Sequence, residues 1–140
     1  MNKIIFFFEK KLSKRDYDRY GFELLQNRGF EIEAWDFSPY FSPTFYENYN
    51  PSDLSNFKGI IEIKSKDQMK NNISNIVDGE VVISILAYEG KELGIYRELR
   101  KKKVHLGVLS LNVIPTGVGP HLNIKSYLDR FISYRNMIIN

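Results

Sequence analysis

The sequence predicts an α/β domain: an open, doubly wound, mostly parallel five-stranded sheet with helices on its faces. Three observations predict it. Short apolar runs alternate with amphipathic segments along the chain, as strands and crossover helices do in a parallel sheet. Two of those runs, residues 4–8 and 81–86, are apolar almost throughout, the first in the pattern of a strand buried on both sides and the second in that of a central strand. A length of 140 residues with 43% apolar content supports one core and one domain.

The elements follow in order. Residues 4–8 form the first strand. Ser13 is placed to cap a helix, with Asp16 three residues on as its capping-box partner. That helix carries Tyr17, Tyr20, Leu24 and Leu25 on one face, and Gly29 closes it at the position after the C-cap. Residues 30–37 alternate and read as a half-exposed second strand. The next stretch, WDFSPYFSPTFYENYNP at 35–51, holds seven of the chain's aromatic residues. With Pro39, Pro43 and Pro51 it is expected to be neither helix nor central strand, but a surface loop. Trp35 is expected to be buried where the second strand ends. Tyr40, Phe41, Phe45, Tyr46 and Tyr49 are expected to form a projecting lid without a strong electrostatic tether.

Residues 59–63 make a short third strand. Ser65 and Gln68 form a second capping box, opening a helix with Met69, Ile73 and Ile76 inward. Residues 81–86 are the fourth strand, predicted to be central. A helix over 90–103 buries Leu93, Tyr96 and Leu99, and 104–109 is the fifth strand. The loop LNVIPTGVGPH leads to a last helix over 123–138, with Ile124, Tyr127, Leu128, Phe131 and Ile138 at helical spacing. The whole is Rossmann-like or flavodoxin-like, and the sequence leaves the strand order open.

Charge and composition exclude several classes. There is no cysteine, so disulfides and thiolate metal sites are out, in keeping with a cytoplasmic location. No apolar run reaches the roughly 18 residues of a membrane span, so no transmembrane segment is expected. Net charge is +3, yet the span between Gly29 and Phe57 has no Lys or Arg and five carboxylates, leaving +8 on the remainder. Nucleic-acid binding wants basic residues interleaved with the aromatics. Here they are separate, so nucleic acid is not an expected partner.

In sheets of this class ligands bind beyond the carboxyl ends of the strands. Those loops are 9–13, 36–51, 64–65, 87–90 and 110–121, which makes Tyr40, Phe41, Phe45, Tyr46, Tyr88, Glu89 and Asn112 candidate binding residues. The first strand-to-helix turn, FFFEKKLSKRD, lacks both the glycine-rich dinucleotide fingerprint and the P-loop pattern. It does place Lys14 and Arg15 in the first turn of a helix, where the macrodipole disfavours cations. Two readings stand: a bound anion such as phosphate, or a solvated turn compensated by Asp16 and Asp18. His121, in the last loop, has two readings: a general base or hydrogen-bond donor, or an incidental loop histidine without a partner. His105 begins a strand and reads as structural. Two isolated histidines compose no metal site, and neither Ser84 nor Ser110 lies in a nucleophile elbow.

The stretch KIIFFFEKKLSKRDYDRYGFELLQNRGFEIEAWDFSPYF resembles the amino-terminal part of bacterial surface-polysaccharide biosynthesis proteins related to glycosyltransferases of the B type. The matching residues are Ser13, Arg15, Asp16, Tyr17, Arg19, Gly21, Glu23, Gly29, Trp35, Asp36 and Pro39, joined later by Gly107, Asn112 and Pro115. The resemblance implies two Rossmann-like domains facing each other across a cleft. In it the amino-terminal domain holds a carbohydrate or lipid-linked acceptor, and a nucleotide-sugar donor sits on the second domain. At 140 residues there is room for the first domain only, so no cofactor is expected on this chain and no turnover from it alone. Such a protein would work in the cytoplasm, including the inner face of the membrane. The alternative is a non-catalytic α/β module that binds a small anion or a protein partner. Aromatic rings beside carboxylates suit carbohydrate, because rings cover C–H faces while carboxylates accept hydroxyl hydrogen bonds; the rival reading is that these rings pack over the sheet edge or against a second domain.

Overall fold

A computed structural model describes residues 3–49, 52–87 and 90–109. The most apolar segment, β1 (Lys3–Phe8), lies in the middle of a sheet completed by β2 (Glu31–Asp36), β3 (Ile60–Glu62), β4 (Val81–Ser84) and β5 (His105–Val108). All neighbours pair in parallel, in the order β3-β2-β1-β4-β5. This is the Rossmann order over its first five strands, with the direction of winding reversing between β1 and β4. As predicted, β4 is an interior strand.

Side chains of β1 alternate between two cores. Ile5 and Phe7 join Trp35, Ile63 and Val82 beneath Met69, Ile73 and Ile76 of α5 (Lys66–Ser74) and its exit. Ile95 and Leu99 of α6 (Glu92–Leu99) complete that layer. On the other face Ile4, Phe6 and Phe8 join Ile32, Ala34 and Leu12 around Phe22. Ring packing fixes both layers: Phe7 stacks on Trp35 at 5.1 Å, and Phe6 meets Phe22 at 4.7 Å. The burial expected for Trp35 is therefore observed. Both predicted caps form, with Ser13 Oγ accepting from the Asp16 N–H and Ser65 Oγ from the Gln68 N–H, each at 3.1 Å. Gly29 takes the left-handed conformation, φ 85°, that ends a helix.

Four expectations are corrected. The predicted helix over 13–29 is two short ones, α1 (Lys14–Arg19) and α2 (Phe22–Asn27). Gly21 has φ 66°, which no helix interior accommodates, so the chain turns there. The turn brings Phe22 into the core and sends Leu24 outward, 56% exposed. Strand β2 is not half-exposed along its length. Ala34, Trp35 and Asp36 are all buried, because β1 and β3 flank them. The aromatic segment is not a plain loop but contains α3 (Ser38–Phe41) and α4 (Pro43–Asn48). Pro39 and Pro43 stand in the first turns, where a helix makes no use of the missing N–H.

The lid expectation divides along the same line. Tyr40 and Phe41 pack against the core, whereas α4 buries none of its residues and Phe45 is 52% exposed, stacked on Tyr49. The segment is also tethered by cations from elsewhere in the chain. Lys11 Nζ donates to the Tyr49 carbonyl at 2.8 Å, and Lys91 Nζ donates to the Phe41 carbonyl at 3.2 Å. The loop LNVIPTGVGPH and the last predicted helix fall outside the described residues.

Candidate functional site

Beyond the carboxyl ends of β1, β2 and β3 is a cavity of about 240 Å³, lined by Lys11, Asp36, Tyr46, Leu54, Ser55 and Glu62 among others. The sheet builds it directly. Asp36 is the last residue of β2 and pairs in register with Glu62, the last residue of β3. Paired residues of parallel strands share a face, so both carboxylates stand on the side of Phe8, with which Asp36 also pairs. Lys11 arrives from the turn after β1, and Tyr46 comes down from α4.

Asp36 is the unusual member, only 3% exposed. Its Oδ1 accepts from the Ser38 N–H at 2.8 Å and from the Ser38 hydroxyl at 2.6 Å. No partner among the described residues engages its second oxygen. Burial pushes the Asp36 carboxyl up, against the pull of the two Ser38 hydrogen bonds, and Glu62 adds to the rise. A carboxylate with one oxygen fixed and the other open to a cavity is a group able to accept a hydrogen bond from a ligand.

Glu62 behaves in the opposite way. Its Oε1 accepts from the Tyr46 hydroxyl, and Lys64 Nζ lies 3.0 Å from Oε2. The Tyr46 bond, with help from Lys64, holds the Glu62 carboxyl below its ordinary value. The same bond pushes the Tyr46 phenol up to about 12. Lys11 Nζ lies 4.3 Å from the Tyr46 ring centroid, so one ammonium grips α4 by its ring and by the Tyr49 carbonyl.

The structure brings together only part of the predicted set. Tyr46 lines the cavity. Phe45 is on the outer side of α4, and Tyr40 and Phe41 belong with the core. Lys14 pairs with Asp18 at 2.6 Å, and Arg15 is exposed. Asp16 is buried and pairs with Lys10 at 3.0 Å. Burial opposes its charge, but the bonds from Lys10 and Ser13 win and hold its carboxyl down. Lys10 and Lys14 are thus paired with Asp16 and Asp18 of the same turn, while the Asp16 Oδ1 atom is buried without a hydrogen bond. Tyr88, Glu89, Asn112 and His121 fall outside the described residues, and His105 is exposed at the start of β5.

Lys11, Asp36 and Glu62 are the site residues that sequence reasoning missed. The signal was present: each acid is the last residue of its strand, where parallel sheets present ligand-binding groups. Among the described residues no cluster of histidine and carboxylate side chains could hold a metal ion. No helix among them is long and apolar enough to cross a membrane. Comparison of the chain with family models, with characterised proteins and with solved structures finds no match.

Proposed function

We propose that this crevice binds the hydroxyl groups of a carbohydrate, and that the chain is the acceptor-side domain of a polysaccharide-building glycosyltransferase. One observation carries the reading: the buried Asp36 carboxyl, one oxygen pinned by Ser38 and the other unpaired on a cavity that also holds Glu62, Tyr46 and Lys11. Vicinal hydroxyls satisfy such a group without requiring a compensating charge. In dinucleotide-binding sheets, an acid about 20 residues beyond the first strand-to-helix turn takes ribose hydroxyls. Here the turn lacks the glycines that bring a backbone up to pyrophosphate, which favours a sugar without a nucleotide on this domain. The resemblance to surface-polysaccharide biosynthesis proteins supports the same assignment.

The test is an NMR titration of the ¹⁵N-labelled chain with hexoses and N-acetylhexosamines. Binding should move the amides of Lys11, Asp36 and Glu62. Asp36→Asn and Glu62→Gln should each weaken it by roughly tenfold, the order of a hydrogen bond to a charged acceptor. Shifts that appear with inorganic phosphate at residues 10–15, and with no sugar anywhere, would overturn the assignment in favour of an anion-binding module.

A further inference from the structure

We infer that the ligand is an oligosaccharide that leaves the Asp36–Glu62 cavity over Leu54 and lies along a second groove; the inference rests on the carbohydrate reading above. That groove, about 770 Å³, runs beside α1, α2 and the segment 54–59. It shares Leu54 and Ser55 with the smaller cavity.

Size separates the two. At about 240 Å³ the first cavity lies below the roughly 300–1,000 Å³ of pockets that bury a drug-sized ligand, and the groove lies within that range. A ligand confined to the first cavity is therefore short, and a longer one has a continuation ready.

The wall of the groove suits successive sugar rings. Tyr17, Phe30 and Phe57 line it, each half-buried. Tyr17 and Phe57 lie 5.8 Å apart, and each packs on the buried Phe22 at 5.3 Å. These rings are fixed before any ligand arrives, so little ordering cost falls on binding. Hydrogen-bonding groups stand among them: Gln26, which accepts from the Tyr17 hydroxyl, and the exposed Asn56 and Lys58. Apolar faces interrupted by amides match a chain with alternating C–H faces and hydroxyls better than an alkyl tail. A polyanion would find Lys14 already engaged by Asp18, and Glu31 on the wall.

Leu54, 42% exposed, is the crest between the two spaces. It is held in place by an antiparallel bridge to Ser13. The Lys14 N–H donates to the Asp53 carbonyl at 2.6 Å, and the Ser55 N–H donates to the Leu12 carbonyl at 3.0 Å.

The experiment compares glucose and N-acetylglucosamine with their linear tetrasaccharides on the ¹⁵N-labelled chain. The monosaccharides should move Lys11, Asp36 and Glu62 only. A tetrasaccharide should also move Gln26, Asn56 and Lys58, and bind at least tenfold more tightly. The double variant Gln26→Ala/Asn56→Ala, both positions exposed, should remove that advantage and leave monosaccharide affinity unchanged. Equal affinity for both lengths, with shifts confined to the cavity, would overturn the inference alone. So would octyl glucoside moving the groove amides through its alkyl chain while no tetrasaccharide does. Absence of any shift in the cavity with every sugar is instead the failure of the carbohydrate reading, and it removes this inference with it.

Discussion

At Asp36 the fold buries a carboxyl group, secures one oxygen with Ser38 and leaves the other unpaired, so charge at this residue works against folding. Its pKa is raised, which fixes the sign. Below the ordinary carboxylate range Asp36 is neutral in both the folded and unfolded chain, and nothing is lost. As pH rises through the raised value, the folded state must carry a buried charge and loses stability. Asp36→Asn keeps an acceptor for Ser38 and removes the charge. It should therefore stabilise the protein at pH 7 by about 1 kcal/mol, the usual gain when a functional group is relieved of its role, and lose that gain in acid. Urea denaturation at pH 7 and pH 3 checks it, and a loss of stability at pH 7 would refute it. The Tyr46–Glu62 bond has the opposite profile. Glu62 is depressed and Tyr46 raised to about 12, so the contact contributes fully between the two ordinary values. It fades as pH falls through the Glu62 pKa or rises toward that of Tyr46. Tyr46→Phe should raise the Glu62 pKa, read by carboxyl NMR titration. The cost in stability is at most about 1 kcal/mol, because Glu62 is open to solvent. Asp36 and Glu62 were legible only as strand ends. What makes them a pair is the register of β2 on β3, which no local pattern encodes.

At the scale of elements, caps and apolar periodicity were legible because they act within four residues, and both capping serines are found where the sequence puts them. The break between α1 and α2 was not, since a glycine is tolerated in a helix and only tertiary packing shows that Phe22 must turn inward. Gly21 makes that turn with φ 66°, and an added Cβ would meet only Leu24 Cβ at 3.9 Å. Space is therefore adequate and the whole cost of Gly21→Ala is conformational, about 1–2 kcal/mol for a left-handed residue with a side chain. A lower urea midpoint at unchanged slope should report it. No measurable change would mean that the two helices fuse in the variant, as the sequence alone suggested. The prolines of the aromatic segment misled for a related reason. Proline forbids a helix interior but favours its first turn, and which applies depends on where the preceding residues stop.

Across the whole molecule the sheet and α4 are secured by different forces, and this makes the site separable from the fold. Strand β1 carries rings and branched side chains that are buried on both faces, and Trp35 of β2 and Val82 of β4 pack beside them. Removing one of the central rings, as in Phe7→Ala, should cost about 3–5 kcal/mol. That is a large share of the roughly 5–15 kcal/mol that holds a domain together. Helix α4 buries nothing and is held by the Tyr46–Glu62 bond, the two contacts of Lys11 and its connection to α3. Replacing Phe45 and Tyr46 together by Ala should accordingly leave the melting temperature within a few degrees while weakening sugar binding. Hydrogen exchange tests the same division without mutation. The Tyr46 and Tyr49 amides, which donate to the Ser42 and Phe45 carbonyls, should exchange through local opening at a free energy well below that of β1. Ligand in the cavity must hold Tyr46 in place to be enclosed, so it should slow those amides more than it slows any in β4. Amides of α4 as protected as those of β1 in the free protein would place the helix in the core and contradict this division.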